Sequence, residues 1–171
     1  AIEALIQLEH GAIEPESPTQ RPRPLEIRTP AGNAAVRGTT FRVRAERQDG
    51  FIEVLKGAVA ADSRAGDVLV DASNGAVVSP VKAPLVEALL PAPYLATQWQ
   101  LPLRTPRFEL DLPPVAGAAG YRVEVARDAD FVDVLRNQVV TEPKVDVTSE
   151  RDGPLHLRVR AVSGAGIEGY D

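Results

Sequence analysis

The stretch that decides the fold runs from Thr29 to Val59 and reads TPAGNAAVRGTTFRVRAERQDGFIEVLKGAV. From Phe41 onward, apolar and charged residues alternate, which is the period-2 pattern of a strand with one buried face. Asp49-Gly50 predicts a tight turn after this strand, and FIEVLKG then predicts a second strand that ends at Gly57. The stretch therefore predicts a β-meander.

The residues before Phe41 predict another turn and strand. Thr29-Pro30-Ala31-Gly32 has the composition of a β-turn, and the strand that follows is expected from Asn33 to Arg37. Gly32 and Gly38 are expected where the backbone needs positive φ or a close approach to another chain segment.

These motifs resemble the second half of a FecR-type domain, over roughly Leu25 to Asp62. The resemblance lies in a Thr-Pro-x-Gly turn, a Val-Arg-Gly-Thr-x-Phe-x-Val strand pair and a hairpin with a late glycine. Its residues in this sequence are Thr29, Pro30, Gly32, Gly38, Thr39, Phe41, Val43, Val54, Gly57 and Val59. The resemblance implies a bacterial protein that faces the periplasm. Some members relay iron-siderophore signals to a membrane-bound sigma-factor regulator, and others accompany peptidoglycan-binding LysM modules.

Length and proline placement predict two small domains joined by a linker. The chain has 171 residues, 44% of them hydrophobic, and 15 prolines. We expect a FecR-like β domain at 1–80, a proline-rich linker at 81–106 and a second β domain at 107–171. The linker is expected to be packed down by Leu89, Leu90, Tyr94, Leu95 and Trp99.

The first domain is expected to contain short strands separated by glycines and little helix. Further strands are predicted at Ala1 to Leu8, Ala12 to Glu14, Asp67 to Asp71 and Ala76 to Ser79. Asn74-Gly75 predicts a hairpin between the last two. Residues 14–24, rich in proline, are either a solvated connection or a recognition segment for a proline-binding partner. The pattern favours a curled β-sandwich or a roll of short strands. Its core is predicted to unite Phe41, Val43, Ile52, Val54, Val59, Val68 and Val70.

The second domain resembles fibronectin type III and related immunoglobulin-like sandwiches, through Tyr121, Val123, Val125, Leu157, Val159 and Ala161. Strands are predicted from Phe108 to Leu112, Tyr121 to Ala126, Val134 to Val140, Lys144 to Thr148 and Leu155 to Val162. Because a seven-stranded sandwich needs about 100 residues, we expect this domain to be C-terminally truncated. The edge strand Leu155 to Val162 is then expected to pair with one of three partners: the proline-rich linker, a second copy of the chain, or residues that the parent protein supplies beyond Asp171.

Two groups of charged residues are predicted on sheet faces, and the first of them is a candidate interaction surface. Arg37, Arg42, Arg44 and Arg47 are either an anion-binding stripe or partners of acids such as Glu46 and Glu53 on a solvated sheet face. In the second domain, Arg122, Glu124, Arg158 and Arg160 are predicted to share one exposed face, with Glu124 between arginines of the neighbouring strand. A net charge of −5 argues against a nucleic-acid partner.

No catalytic, cofactor or metal site is predicted. The chain has no cysteine and only two histidines, His10 and His156, which are both expected at the surface. Asp128, Asp130 and Asp133 could bind calcium, but they lack the glycine and the distal glutamate of a calcium loop. We expect them to form a solvated connection between strands.

The sequence therefore predicts an all-β, non-enzymatic module of the periplasm or cell envelope that binds a protein or peptidoglycan. A periplasmic signal-relay component that resembles the FecR regulators is the alternative. An accessory region of a carbohydrate-acting enzyme is a second alternative.

Overall fold

The computed structural model describes residues 4–14, 25–36, 38–94, 107–142, 144–148 and 153–171, and all regular elements in these ranges are strands. The chain divides into two compact units. Unit 1 comprises Ala1–Leu89 with Ala165–Ile167, and unit 2 comprises Leu90–Gly164 with Glu168–Asp171. The predictions made for Arg37, Leu95, Trp99 and the proline-rich residues 15–24 fall outside the described residues. The all-β fold class is confirmed.

Unit 1 contains ten strands in two five-stranded sheets. Sheet 1 has the order β1-β3-β4-β7-β8, and sheet 2 has the order β10-β9-β6-β5-β2. The strands are β1 Ala4–Gln7, β2 Gly11–Ile13, β3 Leu25–Arg28, β4 Asn33–Val36, β5 Thr40–Glu46, β6 Asp49–Lys56, β7 Ala58–Ser63, β8 Gly66–Asp71, β9 Asn74–Val78 and β10 Leu85–Ala88. The β1–β3 pair is parallel, and the other pairs are antiparallel.

The inner faces of the two sheets share one hydrophobic core, as in a β-sandwich. Phe41 and Val54 from sheet 2 are in the same buried cluster as Ile27, Val59 and Val70 from sheet 1. The predicted core is confirmed, because Val43 and Ile52 are also buried there and Val68 packs against the cluster.

The predicted turn at Asp49-Gly50 is wrong by two residues. Arg47 and Gln48 form the turn, and Arg47 has a φ of 55°. Asp49 already pairs with Glu46, and Gly50 pairs with Ala45 inside the β5–β6 ladder. Gly50 is buried, and a β-carbon there would lie 3.2 Å from the Ala31 β-carbon, so close packing rather than a turn explains the glycine.

The predicted hairpin at Asn74-Gly75 is also wrong, because the strands before and after it belong to different sheets. β8 lies at the edge of sheet 1, while β9 pairs with β6 and β10 in sheet 2. The chain crosses between the sheets at Ala72 and Ser73, where Ser73 has a φ of 67°. Gly75 lies within β9, and a β-carbon there would come within 2.4 Å of the Ile167 side chain.

The predicted turn from Thr29 to Gly32 is confirmed. The Thr29 amide donates to the Gly32 carbonyl at 2.9 Å, and the Thr29 hydroxyl donates to the same oxygen at 2.9 Å. A β-carbon on Gly32 would lie 2.0 Å from the carbonyl oxygen of Asp62. The turn therefore holds β3 and β4 close to the end of β7, and this approach requires glycine.

Part of the predicted linker is regular structure. β10, Leu85–Ala88, pairs antiparallel with β9 and is an edge strand of sheet 2. Leu89 is buried in unit 1, whereas Tyr94 is 81% exposed and does not anchor the segment as predicted.

Unit 2 contains five strands in two sheets. They are β11 Arg107–Asp111, β12 Ala118–Ala126, β13 Val134–Val140, β14 Lys144–Thr148 and β15 His156–Ser163. β11 pairs with β14, and the other sheet has the order β13-β12-β15. Leu110 and Val147 from the first sheet share a buried cluster with Val123 and Val159 from the second. The predicted strand positions are confirmed, and the fibronectin type III resemblance stays a prediction.

Candidate functional site

The arginines predicted as a solvated stripe in unit 1 are mostly buried. Arg42 lies opposite Glu53 in the β5–β6 ladder, and Arg44 lies opposite Phe51. Arg42, Arg44 and Glu53 are only 4%, 8% and 1% exposed to solvent, respectively. The prediction of a solvated face is therefore wrong for Arg42 and Arg44, although Arg44 does pair with Glu46 as expected.

Arg44 contacts an aromatic ring, a carboxylate and a main-chain carbonyl oxygen. Its guanidinium lies 4.0 Å from the centre of the Phe51 ring, a cation–π distance. One terminal nitrogen donates to the Glu46 carboxylate, and the other donates to the carbonyl oxygen of Gly166 at 2.5 Å. Arg44 thereby binds the main chain of the segment Ala165–Ile167, which belongs to unit 1.

The segment Ala165–Ile167 covers this face of sheet 2. A β-carbon on Gly166 would lie 3.0 Å from the Phe51 ring, and Ile167 is buried against Gly75. The absence of a side chain at Gly75 provides the space for Ile167. The arginine face is therefore buried by a segment that is close to it in space but distant in sequence.

Arg47 differs from its neighbours, because it is exposed in the turn between β5 and β6. Arg37, the remaining member of the predicted stripe, lies outside the described residues. Of the predicted stripe, the structure thus brings Arg42 and Arg44 to one face of β5 and leaves Arg47 at the end of the hairpin.

The family-motif residues have structural positions around the sheet edges and core of unit 1. Thr39 is buried, and its hydroxyl donates to the Ala58 carbonyl at 3.2 Å. Gly38 and Gly57 have φ values of 64° and 86°, in the region that favours glycine. A β-carbon on Gly57 would lie 3.0 Å from the Gly38 carbonyl oxygen. The two glycines therefore allow the chain to bend between β4 and β5 and between β6 and β7.

The charged face of unit 2 has the predicted ladder. β12 and β15 pair antiparallel, with Glu124 opposite Arg158 and Arg122 opposite Arg160. The Glu124 carboxylate is 2.7 Å from Arg158 and 3.8 Å from Arg160, and it accepts a hydrogen bond from the Asn137 side chain at 2.9 Å. Glu124 therefore lies between the arginines of the neighbouring strand, as predicted.

The predicted exposure of this face is wrong, because the segment Glu168–Asp171 lies across it. Glu168 pairs with Arg122 at 2.8 Å and with Arg160 at 3.3 Å, and Asp171 also pairs with Arg160. Glu124, Arg160 and Glu168 are consequently 7%, 3% and 5% exposed. We call Arg122, Glu124, Arg158, Arg160, Glu168 and Asp171 the charged layer. It contains three arginines and three acids, so its formal charges balance.

The aspartate cluster organises the loop after β12. Asp128 accepts backbone hydrogen bonds from Val132 at 2.9 Å and from Asp133 at 2.6 Å. These N–H donors hold the pKa of the Asp128 carboxyl below its usual value. The carboxylate oxygens thus bind the loop's own backbone, as expected for a connection between strands. Within the ranges that the structure describes, no group of three or more His, Cys, Asp or Glu side chains could hold a metal ion.

The two histidines lie apart, one in each unit. His10 is exposed beside β2, and His156 is half-buried at the start of β15. Among the described residues, neither histidine forms a side-chain hydrogen bond with a serine, a threonine or a carboxylate. Both arginine groups instead hold peptide segments in place through carbonyl and carboxylate oxygens. This geometry suits the recognition of chain segments.

Comparison with protein families identifies the first part of the chain. The family described as FecR protein matches residues 1–60. The segment that is similar to this family, residues 1–60, is called the FecR segment. It includes the turn at Thr29, the β3–β4 pair and the β5–β6 hairpin that carries Arg42 and Arg44. The resemblance predicted from Leu25 to Asp62 is confirmed for this part of the chain.

Two solved structures match part of the chain. Both are crystal structures, at 1.65 Å and 2.50 Å resolution, of a proposed anti-sigma factor from Parabacteroides distasonis. Each matches with 20% identity and a TM-score of 0.41, over 49% of this chain. The matched part spans 41% of the first and 40% of the second of those chains. No curated protein sequence matches the chain.

Sequence reasoning missed the burial of both charged faces. The available signal was the presence of acids among the arginines of both faces, with Glu53 opposite Arg42 and Glu124 opposite Arg158, together with Glu168 and Asp171. Such balance is expected of charges that lose their water.

In the described part of the chain, no helix is long and apolar enough to cross a bilayer.

Proposed function

We propose that this protein is a non-catalytic signal-relay component of the bacterial periplasm, in which the FecR segment receives or transmits a signal by binding another protein. The observation that carries the proposal is the family match over residues 1–60. The match includes the hairpin on which Arg44 holds the segment Ala165–Ile167.

The contacts in unit 1 are of the kind that a relay requires. A relay needs an element whose arrangement a partner can bias. The contacts of the segment Ala165–Ile167 include the hydrogen bond from Arg44 to the Gly166 carbonyl oxygen and the buried side chain of Ile167. A partner that competes for this face of sheet 2 would change the position of that segment.

The sequence favoured a cell-envelope scaffold that binds a protein or the cell wall, and the family match supports the relay better. The two functions make different demands on the molecule. A cell-wall scaffold must bind peptidoglycan itself, whereas a relay must alter gene expression when its protein partner is engaged.

The test is a gene deletion in the bacterium that encodes the protein, followed by transcript sequencing. Under the relay proposal, deletion changes the level of a defined set of transcripts. Reintroducing the wild-type gene restores that set, and a variant with Phe41→Ala, which removes a core side chain of unit 1, does not.

A cosedimentation assay tests the competing scaffold function. The purified chain is mixed with purified peptidoglycan sacculi and centrifuged. The relay proposal expects the chain in the supernatant. Cosedimentation with sacculi, together with an unchanged transcript profile in the deletion strain, would contradict the relay and favour the scaffold.

A further inference from the structure

Strand β13 combines an open sheet edge with exposed apolar side chains. It is the first strand in the order β13-β12-β15, and no described strand of unit 2 pairs with its outer edge. Val134, Leu135 and Val139 on this strand are 39%, 43% and 46% exposed, and Val132 just before it is 84% exposed. Edge strands with apolar side chains tend to pair with further strands, unless charge or proline prevents it.

The other strand edges of unit 2 are protected. β11 and β14 present charged side chains, and Arg107 pairs with Asp146 while Lys144 pairs with Glu109. Along β15, Val162 forms a bridge with Glu168, and the Gly169 amide donates to the Ala161 carbonyl at 2.8 Å. β13 carries one charged residue, Arg136, which donates to the Asp146 carbonyl oxygen on β14.

The sequence of β13 is self-complementary about Asn137. If two copies of VLRNQVV pair antiparallel with Asn137 at the centre, Leu135 faces Val139 and Val134 faces Val140. The same register opposes no like charges, because Arg136 faces the neutral Gln138. A register centred on Arg136 would instead oppose two arginines, which is unfavourable.

Asn137 is already fixed in a conformation suited to this centre. Its side-chain oxygen accepts a hydrogen bond from Arg122 at 2.9 Å, and its nitrogen donates to Glu124 at 2.9 Å. Asn137 and Val139 therefore lie in defined positions on the open edge strand β13, next to the charged layer. A bulge leaves Leu135 without a partner on β12, and its side chain is free to contact a second strand.

We infer that β13 is a homodimerisation edge, at which the β13 strands of two copies pair antiparallel about Asn137 and join two three-stranded sheets into one of six strands. Such a contact is isologous, so each copy contributes the same residues. The inference is independent of the proposed relay function. It places self-association at β13, whereas the sequence alone predicted it at Leu155 to Val162.

The first test measures the oligomeric state by sedimentation equilibrium over a range of concentrations. The wild-type chain is expected to form a dimer. Val139→Lys is expected to weaken dimerisation at least about tenfold, because the symmetric contact carries the change twice. Leu69→Lys is the matched control, since Leu69 is 62% exposed on β8, another edge strand; it should leave the dimer unchanged.

The second test uses the absence of cysteine from the chain. Cα atoms of directly opposed antiparallel residues are about 4.5–5.5 Å apart, which suits a disulfide. Asn137→Cys should therefore give a disulfide-linked dimer on mild oxidation, and Leu69→Cys should not.

Several results would overturn the inference. A wild-type chain that stays monomeric at every concentration excludes homodimerisation. The same result is expected if β13 pairs with a strand of another protein, and it overturns the inference in that case as well. A dimer that survives Val139→Lys, or one that Leu69→Lys weakens equally, places the contact elsewhere.

Discussion

The carboxylate of Glu124 and the guanidinium of Arg158 lie 2.7 Å apart and directly opposite each other in the β12–β15 ladder. Their side chains are 10% and 18% exposed, so both groups have lost most of their contact with water. The pair is therefore part of the interior of unit 2, although its residues alternate with apolar ones as on a solvated strand.

Replacing Glu124 by alanine should destabilise the protein by about 3–5 kcal/mol, because the change leaves Arg158 and Arg160 buried without their shared carboxylate. Urea unfolding followed by circular dichroism measures the loss. The matched control is Glu109→Ala, which removes an acid paired with Lys144 at an exposed site and should change stability little. Equal effects of the two substitutions would show that the charged layer is not a buried network.

The alternation of apolar residues was enough to predict the strands of unit 2. Val123 and Val125 on β12 are buried, and the bounds of β13 and β14 agree with those predicted. Period-2 patterns report which residues share a face, and this information is local. The same reasoning predicted the core around Phe41 in unit 1.

Two features could not be predicted, because they depend on residues distant in sequence or on uncommon backbone conformations. Arg44 is buried by Gly166, and Arg160 is buried by Glu168, so the covering residues follow from tertiary structure. Arg47 and Ser73 adopt positive φ although neither is glycine. The turns consequently lie at these residues rather than at the Asp-Gly and Asn-Gly pairs that usually mark them.

Tyr121 connects the start of β12 to the preceding loop. Its hydroxyl donates to the Pro113 carbonyl and accepts from the Val115 amide, both at 3.0 Å. Tyr121→Phe should lower the free energy of unfolding by about 1–3 kcal/mol, because two half-buried main-chain groups lose their partner. Tyr94→Phe is the control, since Tyr94 is 81% exposed. The role of the hydroxyl is refuted if both variants unfold at the same denaturant concentration.

The acid dependence of the loop after β12 should follow Asp128. Backbone donation by Val132 and Asp133 holds its pKa below the unfolded value of 3.8. A depressed carboxyl pKa contributes stability at pH values above 3.8, and this contribution is lost as the pH falls through the folded pKa. Amide exchange of Val132 and Asp133, measured by NMR from pH 6 to about pH 2, should therefore show loss of protection only at the acid end.

Asp128→Asn provides the comparison for this experiment, because asparagine retains one acceptor oxygen and cannot titrate. Protection of the Val132 and Asp133 amides should be weaker in this variant at neutral pH and should not fall further through the titration of residue 128. Protection that declines identically in both proteins would assign the acid effect to another group.

Gly32 lies where the Thr29 turn passes closest to the end of β7. Because a β-carbon at this position would be 2.0 Å from the Asp62 carbonyl oxygen, Gly32→Ala requires the backbone of β7 or the turn to move. We expect a loss of about 1–3 kcal/mol, the usual cost of overpacking, measured by thermal and urea unfolding. Gly164→Ala is a suitable control, because nothing lies within 4 Å of the β-carbon there. That change should be neutral or stabilise the protein by up to about 1 kcal/mol, through the reduced entropy of the unfolded chain. If Gly32→Ala behaves like Gly164→Ala, the close approach of the turn to β7 does not exist in solution.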